Sequence, residues 1–324
     1  MKIAVLLQYR ECGVGRFVRK LDSALRKLCD VLELPEGDYW FRNRYLDVDR
    51  IAEKLKNEGC EVFMYHFTPN QYERLTSAFN NLKERVGKFC KFVIVVHGIS
   101  RSDIHIRLIR KLRPDLCIGL TRDITKFLTD NGFRTFYVPH GCDPPIWYDK
   151  QLTKSILCYG LARKEKNFEF ALSLRSYLRH YGMKVSIIPV RSRHTDKEYE
   201  RRISDLGIRV RDFMSEEELR KTIMEHDIVI VPYKETNHYT ASGVICDCAS
   251  LTTPCICSNT IVTRQILEID DRLWVELKLS KFYEAIKYVY SNYDEIRKKF
   301  YNYALERTWD KVAMKICEIL EKFT

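Results

Sequence analysis

The chain has 324 residues, of which 45% are hydrophobic and 31% are charged, and its formal net charge is +11 at pH 7. This length predicts two domains of about 150 residues each, and the composition is typical of a globular protein and excludes a disordered chain. The longest apolar runs, 92–96 and 228–231, have the length of strands, far below the ~18 residues of a membrane-spanning helix.

The positive charge favours anionic partners, which include nucleotides, nucleic acids and the headgroups of anionic lipids. The apolar start of the chain is shorter than the core of a signal peptide, and no small-residue cleavage site follows it. We therefore expect a cytoplasmic protein. The aromatic residues of segment 282–303 leave a peripheral contact with the inner membrane surface open, although core or interdomain packing is the commoner explanation for such residues.

In the first half of the chain, apolar runs of strand length alternate with longer segments of helical periodicity, a pattern that predicts parallel sheets. The predicted strands are 3–7, 61–66, 92–96, 116–118 and 135–138. The predicted helices are 14–31, 48–58, 71–86, 103–112 and 121–131. Segment 140–147 contains a glycine and two prolines without any periodicity, and it predicts a linker between domains.

The alternation resumes in the second half of the chain. The predicted strands are 155–159, 184–190, 208–211, 227–231 and 254–258. The predicted helices are 167–181, 196–205, 216–225 and 242–251, followed by a helical end from residue 281. We predict an α/β fold with two Rossmann-like, doubly wound domains that face a cleft. The N-terminal domain is 1–148 and the other domain is 149–306.

The helix predicted at 242–251 has the features of an anion site. It begins with Ser242, Gly243 and Val244, whose small side chains leave the first backbone amides accessible, and such amides together with the helix dipole suit a phosphate. The helix follows the strand 227–231, and open α/β sheets bind ligands beyond the carboxyl ends of their strands. Asp247 lies far enough along the helix to reach a sugar next to that phosphate. The sequence therefore predicts a nucleotide or nucleotide-sugar site.

The chain contains 12 cysteines, most of which fall on apolar faces, where cysteine packs as a small hydrophobic residue. The pairs Cys246/Cys248 and Cys255/Cys257 are spaced by one residue on a predicted helix and strand, whereas structural zinc sites use longer gaps on turns. We therefore predict no metal site, and a disulfide among these cysteines remains open.

The chain resembles the B-fold (GT-B) glycosyltransferases, most closely the family-four retaining transferases. The resemblance rests on the order and spacing of several motifs along nearly the whole length, because each motif is weak by itself. These motifs are Gly13-Val-Gly15, Val96-His97-Gly98, Val138-Pro-His-Gly-Cys-Asp143, residues 159–167, residues 213–219, the element 242–254 and a final helix with Trp309 that is similar to the family's closing helix. The resemblance implies that this C-terminal helix, at 307–324, crosses back to the N-terminal domain.

The resemblance implies transfer of a sugar from a nucleotide-diphosphate sugar to an acceptor hydroxyl, with retention of configuration and with no metal or other cofactor required. Arg163 and Lys166 follow a predicted strand end, where two cations can clamp a diphosphate and stabilise the leaving group. Cations at the start of a helix oppose its dipole, so this placement favours a functional role over an ordinary charged surface.

The resemblance also implies two glutamates, eight positions apart, before the proline that corresponds to Pro254. Counting back, the second position is occupied by Asp247, which is expected to bind the ribose hydroxyls. The first is occupied by Tyr239, which has no carboxylate to offer the donor sugar. Glu235 is the nearby candidate to replace it. This departure leaves the identity of the sugar, and the level of activity, open.

In the first half of the chain, the resemblance implies that Gly13 and Gly15 form a turn that approaches the donor phosphate and the acceptor. Alone, this pair lacks the third glycine of a dinucleotide fingerprint. His97 ends the predicted strand 92–96 and is expected to contact the reacting sugar. We interpret His140 as a residue that shapes the hinge, and His66 and His105 as structural or exposed.

The predicted function is that of a hexosyltransferase-like enzyme with a glycan, lipid or protein acceptor. Three alternatives remain open: a DNA-directed B-fold glycosyltransferase, a sugar-nucleotide epimerase and a non-catalytic nucleotide-binding relative. Nucleic acid is the less favoured partner because the positive charge is spread along the chain rather than gathered in one block.

Overall fold

The computed structural model describes residues 1–7, 13–35, 47–68, 76–191 and 196–323. The chain divides into two compact units. The first unit comprises Met1–Gly141, Asn237–Ala241 and Trp309–Thr324, and the second comprises Cys142–Thr236 and Ser242–Thr308. The short segment 237–241 therefore interrupts the second unit along the chain and belongs to the first, an excursion that the sequence did not predict.

The strands and helices are numbered along the chain. The strands are β1 (Lys2–Leu7), β2 (Asp30–Pro35), β3 (Val62–Phe67), β4 (Lys91–Val96), β5 (Gly98–Ser100), β6 (Leu116–Gly119), β7 (Thr135–Tyr137), β8 (Ser155–Leu161), β9 (Lys184–Val190), β10 (Ile228–Val231), β11 (His238–Thr240), β12 (Cys255–Ser258) and β13 (Trp274–Val275). The helices are α1 (Gly13–Leu25), α2 (Val48–Asn57), α3 (Thr76–Val86), α4 (Asp103–Leu112), α5 (Arg122–Asp130), α6 (Phe168–Arg179), α7 (Lys197–Asp205), α8 (Glu216–Glu225), α9 (Gly243–Ser250), α10 (Leu279–Ser291), α11 (Tyr293–Leu305) and α12 (Trp309–Glu321). Within the described ranges, each helix is either too short or too polar to span a lipid bilayer.

The first unit is built on a parallel sheet with the strand order β2-β1-β3-β4-β6-β7. Successive residues of β1 face opposite sides, so Ile3 packs with α1 and α12 in one apolar cluster while Ala4 packs with α2 to α5 in another. Both faces of the sheet are therefore covered, as expected for parallel sheets whose strands are apolar throughout. A second, two-stranded sheet pairs β5 with β11 in antiparallel register, with Ile99 opposite Tyr239.

The second unit is built on a parallel sheet with the order β13-β12-β10-β8-β9. One continuous apolar core includes residues from its strands and from helices α6 to α11. Cys246, Cys248, Cys255 and Cys257 are buried in this core, and all the cysteines that the structure describes are free thiols. The interpretation of Cys246, Cys255 and Cys257 as packing residues is confirmed.

The predicted α/β class with two Rossmann-like units is confirmed, and the closing helix α12 packs within the first unit beside α1. Several boundaries are wrong. The helix predicted at 14–31 ends at Leu25 and strand β2 follows it, because a short apolar run fits helix and strand periods equally well. The strand predicted at 208–211 contributes only a bridge between Arg211 and Val190. Residues 76–86 of the helix predicted at 71–86 are helical, and residues 71–75 lie outside the described residues.

We expect Gly141→Ala to lower the free energy of unfolding by about 1 to 3 kcal/mol, the usual cost of overpacking a core. Gly141 lies against Trp309 of the first unit, and an added Cβ would stand 2.6 Å from Cζ3 of that indole. Chemical denaturation measures the difference. Gly13→Ala is the matched control, because no heavy atom of the described residues lies within 4 Å of its added Cβ and alanine favours helix over glycine. An equal loss in both variants would contradict this explanation.

Candidate functional site

The second sheet has a topological switch point between β8 and β10. The chain continues from β8 to β9 on one side and later returns to β10 on the other. Open α/β sheets bind ligands in the crevice beyond the carboxyl ends of their strands at such a point. The segments that follow these two strand ends, 162–167 and 232–235, therefore form the candidate site of the second unit.

The first of these segments is a short turn that carries the predicted cations. Lys164–Lys166 form one turn of 3-10 helix. Asn167 then takes a left-handed conformation with φ 56°, and its side-chain amide donates to the Pro232 carbonyl at 3.1 Å. The Lys234 amide donates to the Glu165 carbonyl at 2.9 Å. These bonds attach the turn after β8 to the segment after β10, so both cations are held at the switch point.

Lys166 lies over an aromatic ring at this point. Its Nζ is 3.6 Å from the centroid of the Tyr233 ring, a cation–π contact. Removal of the ammonium from water lowers the pKa of Lys166 from 10.5 to about 8, and the charge of Arg163 acts in the same direction. Arg163 is more exposed and forms an ion pair with Glu165 at 3.9 Å. Lys166 is therefore a cation whose protonation is finely balanced near neutral pH.

Two buried hydroxyls at the site lie close enough to interact with each other, but neither forms a hydrogen bond of normal geometry with the described residues. They are Oη of Tyr233 and Oγ of Ser242, whose residues are 3% and 4% exposed. Burial raises the pKa of Tyr233 well above its usual value, which keeps the phenol protonated. Because an unsatisfied buried polar group is costly, these hydroxyls indicate that the site is completed by a polar ligand.

Ser242 precedes helix α9, and Gln265 fixes it there. The side-chain amide of Gln265 accepts from the Ser242 amide at 3.0 Å and donates to the Ser242 carbonyl at 3.0 Å. Ser242 therefore offers a ligand its hydroxyl rather than the backbone amide that the sequence suggested. Gly243 and Val244 open the helix, and the amides of a first turn have no acceptor within their helix.

The remaining predicted donor residues of the second unit have internal partners. The Tyr159 hydroxyl donates to Oδ2 of Asp247 at 3.3 Å, which orients that half-buried carboxylate on α9. Glu235 is the last residue of the segment after β10, and its carboxylate accepts from the Ile261 amide at 3.2 Å. The structure thus brings Lys166, Tyr233 and Ser242 together at the anion site, while Glu235 caps the 3-10 helix that also carries Gln265.

This arrangement suits an anionic ligand with hydroxyl groups. A half-buried cation, the start of a helix and two buried hydroxyls provide positive potential and hydrogen-bonding groups for a phosphate. Among the described residues, no group of three or more histidine, cysteine, aspartate or glutamate side chains is arranged to hold a metal ion.

In the first unit, the predicted residue His97 lies at the end of β4 and is 7% exposed. Its Nε2 is 3.0 Å from Nδ1 of His66 on the neighbouring strand β3. Phe17 of α1 packs edge-on against His97, with ring centroids 4.6 Å apart. Burial lowers the pKa of His97 well below its usual value and that of His66 to about 3. Both imidazoles are therefore neutral at physiological pH.

The prediction that Gly13 and Gly15 form a turn is wrong. Both glycines lie in the first turn of α1, and the residues before them, 8–12, lie outside the described residues. Gly15 is buried and Gly13 is exposed. The start of α1 lies beyond the carboxyl end of β1, at the same edge of the sheet as His97.

Tyr239, which takes the place of a family glutamate, belongs to the first unit. Its ring lies 5.3 Å from the ring of Phe127, and the guanidinium of Arg101 lies 5.2 Å above it. Its side chain therefore has a packing role on β11 that explains an aromatic residue at this position.

Three residues of the sites were not predicted from the sequence. Tyr233 follows the end of a predicted strand, and that position is a signal from which its place in the site could have been predicted. His66 was interpreted as structural or exposed, and it is buried against His97. Gln265 lies on a 3-10 helix that the sequence did not predict, and its contact with Ser242, 23 residues away, has no local sequence signal.

Comparisons with known proteins find similarity in structure alone. No protein-family model matches the chain, and no curated protein matches its sequence. Among solved structures, a trehalose-6-phosphate synthase, studied for glycosyltransfer with retention, is 11% identical with a TM-score of 0.71, and the match covers 99% of both chains.

Two further structures are similar. An alpha-glucosyltransferase in complex with UDP and DNA containing a HMU base is 12% identical with a TM-score of 0.67, and the match covers 100% of this chain and 99% of that one. The GtfA/B complex is 14% identical with a TM-score of 0.60, and the match covers 87% of this chain but 62% of that chain, less than two thirds of its length. The chain therefore has the B fold of these glycosyltransferases.

We expect Gln265→Leu to weaken binding of a nucleoside diphosphate about tenfold, because both hydrogen bonds that hold Ser242 at the start of α9 are lost. Calorimetric titration measures the dissociation constant. Gln151→Leu, at an exposed glutamine of the same unit, is the control and should bind as the unchanged protein does. Unchanged affinity in Gln265→Leu, with the fold intact, would show that the clamp does not position the site.

Proposed function

We propose that this chain is a glycosyltransferase that uses a nucleotide-diphosphate sugar as donor, retains the configuration of the sugar and requires no metal. The observation that carries the proposal is the β8/β10 switch point, where Lys166 lies over Tyr233 and the buried hydroxyls of Tyr233 and Ser242 form no hydrogen bond of normal geometry with other described residues. The B fold adds support, since the solved structures that share it over nearly all of this chain include glycosyltransferases.

The donor binds to the second unit in this proposal. Its diphosphate accepts from the amides of Gly243 and Val244 and from the hydroxyls of Ser242 and Tyr233, while Lys166 supplies positive charge. Arg163, half-exposed at the same turn, adds a second charge once it leaves Glu165. The Asp247 carboxylate, oriented by Tyr159, accepts from a ribose hydroxyl at the first turn of α9.

The chemistry follows from this placement. The bond between C1 of the sugar and the diphosphate oxygen breaks, and the acceptor oxygen forms a new bond to C1 on the same face. The acceptor proton passes to the leaving phosphate, so no protein base is required. Negative charge develops on the diphosphate as it leaves, and the fixed charges of Lys166 and Arg163 stabilise it in the transition state. These cations fill the role that a divalent metal fills elsewhere.

The acceptor and the hydroxyls of the transferred sugar are assigned to groups of the first unit. His97 stays neutral because its ring is withdrawn from water, and a neutral imidazole offers one donor and one acceptor to hydroxyl groups. The start of α1, with Gly13 and Gly15, lies at the same sheet edge and allows a ligand to approach the backbone. Glu235 is not required for this assignment, because its carboxylate caps a helix.

DNA is the second candidate for the acceptor. Two observations favour it: the net charge of +11 and the fold shared with an alpha-glucosyltransferase crystallised with UDP and DNA. Helix α4 presents Arg107, Arg110 and Lys111 as exposed cations, and such residues bind phosphate backbones in a salt-dependent manner.

The experiment that tests the proposal has two stages. Thermal shift in EDTA, with UDP, GDP, ADP, TDP and their sugar conjugates, identifies the nucleotide that stabilises the folded protein, since a ligand that binds only that state raises its stability. The stabilising donor is then incubated with glycans, lipid acceptors and DNA with or without HMU. Mass spectrometry detects transfer, and NMR of the anomeric proton reads the stereochemistry.

Each result decides one part of the proposal. Transfer in EDTA with retained configuration supports it, and the acceptor that reacts selects between DNA and the other classes. Inverted configuration or a strict metal requirement contradicts the corresponding step. Conversion of the donor sugar without any acceptor indicates an epimerase, and binding without turnover indicates a non-catalytic relative. No stabilisation by any nucleotide would overturn the assignment of the site.

We expect nucleoside diphosphate affinity to fall as pH rises through about 8, because Lys166, whose pKa lies near that value, binds the phosphate only as an ammonium. The decrease approaches tenfold for each pH unit above that value. Calorimetric titration from about pH 7 to about pH 9 measures it. Lys166→Arg stays charged over this range and should bind with a flatter profile. Lys166→Met should bind weakly at every pH, and an unchanged profile in Lys166→Met would contradict the role of this residue.

A further inference from the structure

The buried histidine pair of the first unit has a geometry that restricts the hydrogen-bonding groups of His97. His66 is fully buried and His97 is 7% exposed. Their facing nitrogens, Nδ1 of His66 and Nε2 of His97, are 3.0 Å apart. In the parallel register of β3 and β4, His66 lies opposite Val95. His97 is two residues after Val95 and therefore on the same face of the sheet as His66, so the strand register brings the two imidazoles together.

The backbone of His97 is held from two sides. Its amide donates to the Phe67 carbonyl at 3.1 Å, next to His66 in β3. Its carbonyl accepts from the Thr240 hydroxyl at 3.0 Å. The backbone is thus fixed by two elements of the first unit, and what remains to be set is the orientation of the ring and the position of its single proton.

The ring of His97 has limited room to turn. Phe17 meets it edge-on at an interplanar angle of 87°, and the same phenyl ring lies 4.9 Å from the ring of His140. His66 and His140 are also the titratable groups whose charges lower the pKa of His97 beyond the effect of burial. The hydrogen bond to His66 therefore acts on a ring already confined by aromatic contacts.

Two neutral imidazoles that meet nitrogen to nitrogen share one hydrogen, because one must donate and the other must accept. If Nε2 of His97 carries it, Nδ1 of His97 is an acceptor toward a ligand. If Nδ1 of His66 carries it, Nδ1 of His97 carries the other proton and donates. Either way, the role that Nδ1 of His97 plays is coupled to the tautomer of His66 on β3.

We propose that His66 is a positioning residue that fixes His97 in one tautomer and one ring orientation, so that His97 presents a single defined hydrogen-bonding group to a sugar hydroxyl. The pairing itself stands on the geometry of the first unit. Its consequence for catalysis rests on the proposed function. A substrate hydroxyl bound by a fixed partner is oriented for reaction, and a small misplacement costs much of the rate.

The test compares three variants. His66→Leu removes the partner and keeps an apolar core. His66→Asn places an amide where Nδ1 of the imidazole lies and restores a hydrogen bond. His105→Asn is the matched control, because His105 is another buried histidine of the same unit, and its Nδ1 accepts from the Ser100 amide at 2.7 Å rather than contacting His97.

The first readout is independent of activity. Long-range ¹H–¹⁵N NMR of the histidine rings reports the tautomer of His97. We expect one tautomer in the unchanged protein from about pH 5 to about pH 8, a changed or mixed population in His66→Leu, and recovery of one tautomer in His66→Asn. His97 should keep its tautomer in His105→Asn. A mixed population in the unchanged protein, or the same tautomer in His66→Leu, would overturn the proposal.

The second readout is kinetic and concerns the consequence for transfer. In His66→Leu we expect kcat to fall about 10- to 100-fold with the donor KM nearly unchanged, and His66→Asn to recover most of the loss. An equal fall in both, or a change confined to KM, contradicts the positioning role. Absence of transfer by the unchanged protein contradicts the proposed function instead, and the NMR readout still decides the pairing.

Discussion

Burial of the central parallel strands on both faces is the constraint on which the rest of the structure depends. Side chains of β1, β3 and β4 are apolar on either face of the first sheet, and the same holds for β8, β10 and β12 in the second. Polar side chains of the candidate sites are therefore found at or just beyond the carboxyl ends of the strands, where backbone groups also need partners. The β8/β10 switch point and the histidine pair both lie at such ends.

Burial of ionisable side chains has a different effect at each of the two sites, and each effect suits a different ligand. At the switch point it lowers the pKa of Lys166 to about 8, which leaves a cation at neutral pH that is poorly solvated and ready to pair with an anion. At the histidine pair it lowers the pKa of His66 to about 3, which leaves neutral donors and acceptors. The second unit thus offers charge for a phosphate, and the first offers hydrogen bonds for hydroxyls.

The elements near the sites were predicted well where the local chemistry is distinctive. Helix α9 was expected at 242–251 and lies at Gly243–Ser250, because a Ser-Gly start and a Thr-Thr-Pro end limit a helix on both sides. Strand β2 was missed because its short apolar run continues the period of α1. The pairing of β11 with β5 was missed because two three-residue strands carry almost no periodic signal.

The sequence by itself determined the alternation of strands and helices, the division into two Rossmann-like units and the cations that follow β8. These properties depend on residues close together in the chain, whose spacing expresses hydrophobic burial and helix capping directly. Only the tertiary structure decided that Tyr233 lies beneath Lys166, that Gln265 holds Ser242 and that His66 faces His97. The physical reason is that these contacts depend on which strands are neighbours and in which register, and hydrophobic periodicity is the same for every order of buried parallel strands.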